Sequence, residues 1–355
     1  MRKLSFVLLA IFVIFLSACS KEGLTGTDNE TKENERSGEK SGIEAPGNKK
    51  ENETIFPLTG IGTDEEVDNR IISVMMNNHP AARPQSGLSQ ADVVYEILAE
   101  GMITRLLALY QSEMPDIVGP VRSAREYYFE LANGYDSIYV YHGAAGFIND
   151  MIKNRGINYL DGAIYDNDGN LFKRETFRKA PHNSYLLLDA VYDIAGGKGY
   201  ETAISYEPME FLTEEGIDNL SGDTAEYVKI IYSNSPSWVV EYTYDKAGGN
   251  YFRSSDGERT VELNTEAPVK VENIFIVETY HEVIDDAGRR AIDLESGGNG
   301  YLIQKGHMQE VQWENRDGRI VPVKDGQLAG FVPGKTWINV VPTNPGMQQS
   351  VTFSN

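Results

Sequence analysis

Short β-branched apolar runs that end in polar turns dominate the first half of the folded chain. Ile71-Ile72-Ser73-Val74-Met75-Met76 leads into Asn77-Asn78-His79-Pro80, which reads as a buried strand entering a polar loop. Residues 88–92 read as a helical turn that feeds a strand over 93–98, and 105–110 as a third strand. Met114-Pro115-Asp116 turns that strand toward a further run at 117–121. Residues 123–133 have helical spacing, with Ser123 as the expected N-cap. A strand over 137–142 then runs into Gly143-Ala144-Ala145-Gly146, and 147–155 suits a helix. Strands alternating with helices through about Gly197 predict an α/β-type mixed sheet.

From about Val228 the pattern changes to short strands separated by turn residues. The apolar runs are 228–232, 238–244, 269–279, 301–305, 310–314, 320–323 and 337–341. Between them lie Gly248-Gly249-Asn250, Asp256-Gly257, Gly297-Gly298-Asn299-Gly300 and Asp317-Gly318, each read as a turn. The expected fold class is α+β. It places an N-terminal α/β domain over 54–199, a helical or irregular connector over 200–227, and a β-rich C-terminal domain over 228–355.

The first eighteen residues have the order of a secretion signal. Arg2 and Lys3 precede an apolar run from Phe6 to Leu16, followed by Leu16-Ser17-Ala18-Cys19. The run is shorter than the roughly 20 residues a bilayer span needs, so a signal peptide over 1–18 is the better reading. Leu-Ser-Ala-Cys resembles the lipobox of bacterial lipoproteins. The resemblance implies cleavage before Cys19 and a diacylglyceryl group on its sulfur, with a membrane partner reached through that anchor. Cys19 is the sole cysteine, so a disulfide, a thiolate metal site and a thiol nucleophile are all excluded in the lipidated chain. Residues 19–53 are rich in Lys, Glu, Asn, Gly, Ser and Thr, which reads as a disordered tether. Its r.m.s. reach of roughly 30–35 Å would lift the folded part among cell-wall polymers.

With 53 acidic against 32 basic residues the formal net charge is −21, which argues against nucleic acid as a partner. Against that background, basic and polar residues gather where the first-half strands end. The candidate ligand-binding set is Asn77, Asn78, His79, Arg83, Glu96, Arg105, Arg122, Ser123, Arg125, His142, His182 and Asn183. Ligands of α/β sheets bind outside strand carboxyl ends. Gly119-Pro120-Val121-Arg122-Ser123-Ala124-Arg125 carries the most weight. Two arginines flank the expected start of a helix, whose free N–H groups favour an anion, and arginine forks match phosphate or carboxylate. Each residue also has a plain structural reading. Arg105 with Glu96 and Glu100 reads as a salt-bridged sheet face, and His142 and the His182-Asn183 turn as hydrogen-bonded structure.

Enzyme templates are absent: the chain has no G-x-S-x-G, H-E-x-x-H or phosphate-binding P-loop. No metal-ligand spacing occurs, and no cofactor or metal is expected. The run from Ile72 through Met76-Asn77-Asn78-His79-Pro80 to Leu88 resembles the hallmark of the YerB-type lipoproteins of Firmicutes. So do Ala91–Glu96, Gly101–Arg105, Val118–Arg125, Ala180-Pro181-His182-Asn183 and Gly334–Ile338. The resemblance implies two domains of unknown function on the outer face of a Gram-positive cytoplasmic membrane. A looser likeness, of two strands followed by Arg, links residues 106–123 to the LytR-CpsA-Psr phosphotransferases, but Arg125 is followed by Glu126 where those enzymes show an Arg-Asp pairing. The leading expectation is a lipid-anchored protein that binds an anionic wall polymer or lipid-linked glycan through Arg83, Arg122, Arg125 and His142. Two alternatives use other chemistry. One is a phosphotransferase or hydrolase acting on a polyprenyl-pyrophosphate-linked precursor, with His142 or Glu96 as base. The other is a scaffold for wall-synthesis proteins.

Overall fold

The computed structural model describes residues 54–232 and 238–355. The expected signal segment, Cys19 and the expected tether lie outside the described residues. Within the described part the apolar runs form strands, as their β-branched composition requires. In the first half these are β1 (Ile72–Asn77), β2 (Val93–Leu98), β3 (Thr104–Tyr110), β4 (Ile138–Tyr141) and β5 (Tyr159–Asp161). Helix α1 (Glu126–Gly134) precedes β4, and α2 (Gly146–Asn154) follows it. The second half adds β6 (Tyr227–Ile231), β7 (Val239–Asp245), β8 (Asn250–Ser255), β9 (Asn273–Thr279), β10 (His281–Val283) and β11 (Arg290–Ile292). It continues with β12 (Gly298–Gln304), β13 (His307–Arg316), β14 (Arg319–Lys324), β15 (Gln327–Leu328), β16 (Thr336–Pro342) and β17 (Val351–Ser354).

The fold is α+β with a β-rich second half, and its two halves share one sheet. The order along that sheet is β15-β14-β13-β12-β9-β16-β2-β3-β1-β4-β5. The junction is parallel: β16 pairs with β2 on one side and with β9 on the other. Strands β1, β4 and β5 are also parallel, so Asn77, Tyr141 and Asp161 end on one edge. Alternation splits the core into two layers. One layer holds Val74, Val94, Leu106 and Val140 against β6–β8. The other holds Met75, Tyr95, Leu107 and Tyr139 beneath α1 and α2.

Two local expectations are corrected. Gly298 and Gly300 belong to strand β12 and not to a turn. They are glycines because a Cβ on Gly300 would come within 2.9 Å of the Ile276 carbonyl, and one on Gly298 within 2.8 Å of Trp313. Ser123 does not cap α1, because Arg125 occupies the cap position in an extended conformation and the helix begins at Glu126. The backbone before it is already committed: Arg122 N–H donates to the Met75 carbonyl and Ala124 N–H to that of Gly143.

Candidate functional site

The segment 119–124 stitches the carboxyl ends of β1 and β4 together. Asn77 N–H donates to the Pro120 carbonyl (2.8 Å), Arg122 N–H to Met75 (2.8 Å), and His142 N–H to Arg122 (2.9 Å). Sequence neighbours of three different elements are thereby placed side by side, with Arg122 between Asn77 and His142.

Three guanidinium groups gather beside this seam around one carboxylate, and two of them bond it. Arg105 is buried, donating to the Ser123 carbonyl at 2.8 Å and to Glu100 at 2.9 Å. Arg125 Nε meets the other Glu100 oxygen at 2.5 Å. Burial would raise the Glu100 carboxyl, but the Arg125 hydrogen bond and the Arg105 charge outweigh it and hold it below its usual range. Arg105 is pushed down to about 10 by burial and by the neighbouring Arg125. Arg122 is half-buried, and its guanidinium has no hydrogen-bond or salt-bridge partner among the described residues. Burial and then Arg125 lower its affinity for its proton. A desolvated cation next to other cations is a costly arrangement, and an anion would relieve it. Below the seam, the Tyr139 hydroxyl is buried and has no partner among the described residues, with Arg125 and Arg105 nearby.

The histidines flank this basic centre. His182 Nδ1 accepts from the Asn77 amide at 2.9 Å, and its ring stacks on His79 at 4.6 Å. His79 Nδ1 in turn accepts from Ala81 N–H at 3.1 Å. Burial, followed by His79 and Arg122, lowers the His182 pKa. His142 Nδ1 lies 2.7 Å from Ser184 Oγ, and Arg174 Nη2 lies 3.3 Å from its Nε2. A guanidinium only donates, so Nε2 is assigned as acceptor and the Nδ1 proton points at Ser184. In this tautomer His142 offers Ser184 no lone pair and does not activate it. Burial and the Arg174 charge lower its pKa, disfavouring the charged ring.

The remaining candidates lie elsewhere. Glu96 is fully buried and faces the second half, where it binds Arg253 Nη2 at 2.8 Å and Trp337 Nε1 at 3.0 Å. Its other oxygen accepts from Asn78 at 3.1 Å and Thr104 at 2.8 Å, so both oxygens are occupied. Arg83 donates to the Asn78 carbonyl and forms a 2.7 Å ion pair with Asp256. Asn183 accepts from Arg174 at 2.9 Å. The cluster thus unites Asn77, His79, Arg105, Arg122, Arg125, His142 and His182, with Ser123 contributing its carbonyl. Glu96, Asn78 and Arg83 join the two halves instead. Arg253 was missed, although its inward place in the alternation Tyr251-x-Arg253-x-Ser255 marks it as a buried cation in need of a partner.

Two cavities, of about 750 and about 430 Å³, are lined by other residues, among them Tyr301 and Glu310 in the first and Tyr206 and Phe331 in the second. The cluster is singled out by its chemistry and not by enclosure. Among the described residues no group of three or more His, Cys, Asp and Glu is placed to hold a metal ion. No described helix is long and apolar enough to cross a membrane.

Family models for the N-terminal and C-terminal domains of "Protein of unknown function (DUF3048)" match residues 58–201 and 228–338. The chain belongs to the DUF3048 family. The strand-end cluster of this DUF3048 chain lies within the first match, and Arg253 and Trp337 within the second. A Bacillus subtilis (strain 168) relative named "Putative lipoprotein YerB" is 50% identical over 288 residues, covering 81% of this chain and 86% of its own. The crystal structure of YerB protein from Bacillus subtilis superposes with a TM-score of 0.78 at 46% identity, covering 85% of this chain and 100% of that one. The resemblance to YerB-type proteins noted in the sequence thus extends to the fold.

Proposed function

We propose that this protein is a lipid-anchored component of the cell envelope that binds an anionic ligand at the strand-end cluster. The supporting observation is Arg122, a half-buried guanidinium without a protein partner among the described residues, set beside two further arginines that share a single carboxylate. The ligand class is a phosphate- or carboxylate-bearing envelope molecule, since a planar fork pairs best with those groups. Binding is favoured over turnover because Glu96 is enclosed with both oxygens occupied and His142 Nε2 faces Arg174. The anchor is placed on Cys19 at the outer face of the cytoplasmic membrane, supported by the lipobox and by the relative's name.

Equilibrium binding to purified phosphate-bearing wall polymer tests the site. Arg122→Ala should weaken it by at least about tenfold, the size of one charge-assisted hydrogen-bonded pair; equal affinity in the variant would refute the assignment. The anchor is tested by fractionation: Cys19→Ala should move the protein from the membrane fraction to the medium. Retention in the membrane would sink that part of the proposal.

A further inference from the structure

The basic centre is fringed by apolar side chains exposed to solvent. Nine large apolar residues are exposed among those described, and five of them lie on the segments that follow carboxyl ends of strands in the long sheet. They are Phe147 in α2 after β4, Ile164 after β5, and Tyr280, Val283 and Ile284 on or beside hairpin strand β10 after β9. Ile164 is 67% exposed, Val283 55% and Phe147 46%, and apolar side chains gathered at one end of a sheet mark an interaction site where scattered ones do not.

A chain of contacts links this fringe to the loop that carries Glu100. Phe147 opens α2 just beyond His142, and the Arg289 guanidinium lies over its ring at 5.5 Å. The next residue, Arg290, donates to the Ala99 carbonyl at 3.1 Å and meets the Met102 sulfur at 3.0 Å. Glu100, between those two positions, is the carboxylate shared by Arg105 and Arg125. Asp161 closes the other side by accepting from Gly143 and Ala163 N–H, which sets Ile164 beside the His142 loop. The β10–β11 hairpin therefore carries Val283 and Ile284 from the end of β9 toward the arginine seam.

We infer that the anionic ligand of the Arg122 site is a lipid phosphate, its head on the arginines and its hydrocarbon chain over Phe147 and the hairpin tip. The inference rests on the anion-binding reading above and narrows it. A free phosphate or a wholly hydrophilic polymer would use the arginines and leave the apolar fringe without a role. A net charge of −21 disfavours broad contact with an anionic bilayer, so a single extracted amphiphile is the better match.

The test compares inorganic phosphate with farnesyl phosphate below its micellar concentration. The proteins are the parent, Arg122→Ala and a Val283→Ser/Ile284→Ser double variant, each checked by its thermal melt. Farnesyl phosphate should bind the parent at least about tenfold more tightly, the equivalent of about two buried methylenes. Arg122→Ala should lose both ligands, and the double variant should bring the affinity ratio toward one. Phosphate binding with no gain from the chain would overturn the inference and leave anion binding standing. Binding of neither ligand would overturn both. Farnesyl phosphate binding that survives Arg122→Ala, or equal cosedimentation of parent and Arg122→Ala with phosphatidylglycerol vesicles, would assign the fringe to nonspecific lipid contact and overturn the inference.

Discussion

At the residue scale, the division between structural and free charges decides what the site does. Arg105 and Arg125 are committed to Glu100, and Arg83 to Asp256, whereas Arg122 has no such partner among the described residues. His182 adds a pH dependence. Its pKa is lowered by burial and by His79, Arg122 and Arg178, so it takes up its proton at a lower pH than an ordinary imidazole. Sulfate keeps its charge over this range, so changes in its binding report on the protein. Its affinity should rise by about fivefold as the pH falls through the range below about 6.5 in which His182 takes up its proton, equivalent to roughly 1 kcal/mol of added attraction. His182→Asn should flatten the profile. A flat profile in the parent would show that His182 lies outside the reach of the anion. The residue types of this cluster were legible in the sequence because they stand where apolar runs stop. Their pairing was not, since Glu96 and Arg253 lie 157 positions apart and meet only through the packing of two sheets.

At the element scale, periodicity identified most strands and both long helices, and its failures have local causes. Backbone bonds to Met75 and Gly143 hold residues 122–124 extended and delay α1 to Glu126, a competition that spacing does not reveal. The β12 glycines read as a turn because the Trp313 and Ile276 neighbours that require them come from distant strands. Helix α1 also ends on the β13–β14 turn. A Cβ on Gly134 would lie 2.3 Å from the Gly318 carbonyl oxygen, so that backbone contact has no room for a side chain. Gly134→Ala should cost about 1–3 kcal/mol by forcing the helix and the turn apart. A denaturant melt reads the loss, and an unchanged midpoint would mean that the contact yields freely.

At the scale of the whole molecule, the sequence reading of two grammars is correct in composition, yet one sheet joins them. The parallel pairing of β16 with β2 spans more than two hundred positions, and nothing in either strand announces its partner. Glu96, Arg253 and Trp337 lock the same junction from within. A split sheet cannot keep its core covered, so we expect both halves to unfold in one transition, with calorimetric and van't Hoff enthalpies in agreement. Two resolved transitions would contradict that coupling. Arginine Nε–H resonances of the ¹⁵N-labelled protein, followed during a phosphate titration, show whether Arg122 is the free cation of an anion site. A saturable shift is expected at Arg122, with none at Arg70, which is already held by Asp136 at 2.5 Å. An Arg122 resonance that stays in place at high phosphate, or that moves only in step with Arg70, would contradict it.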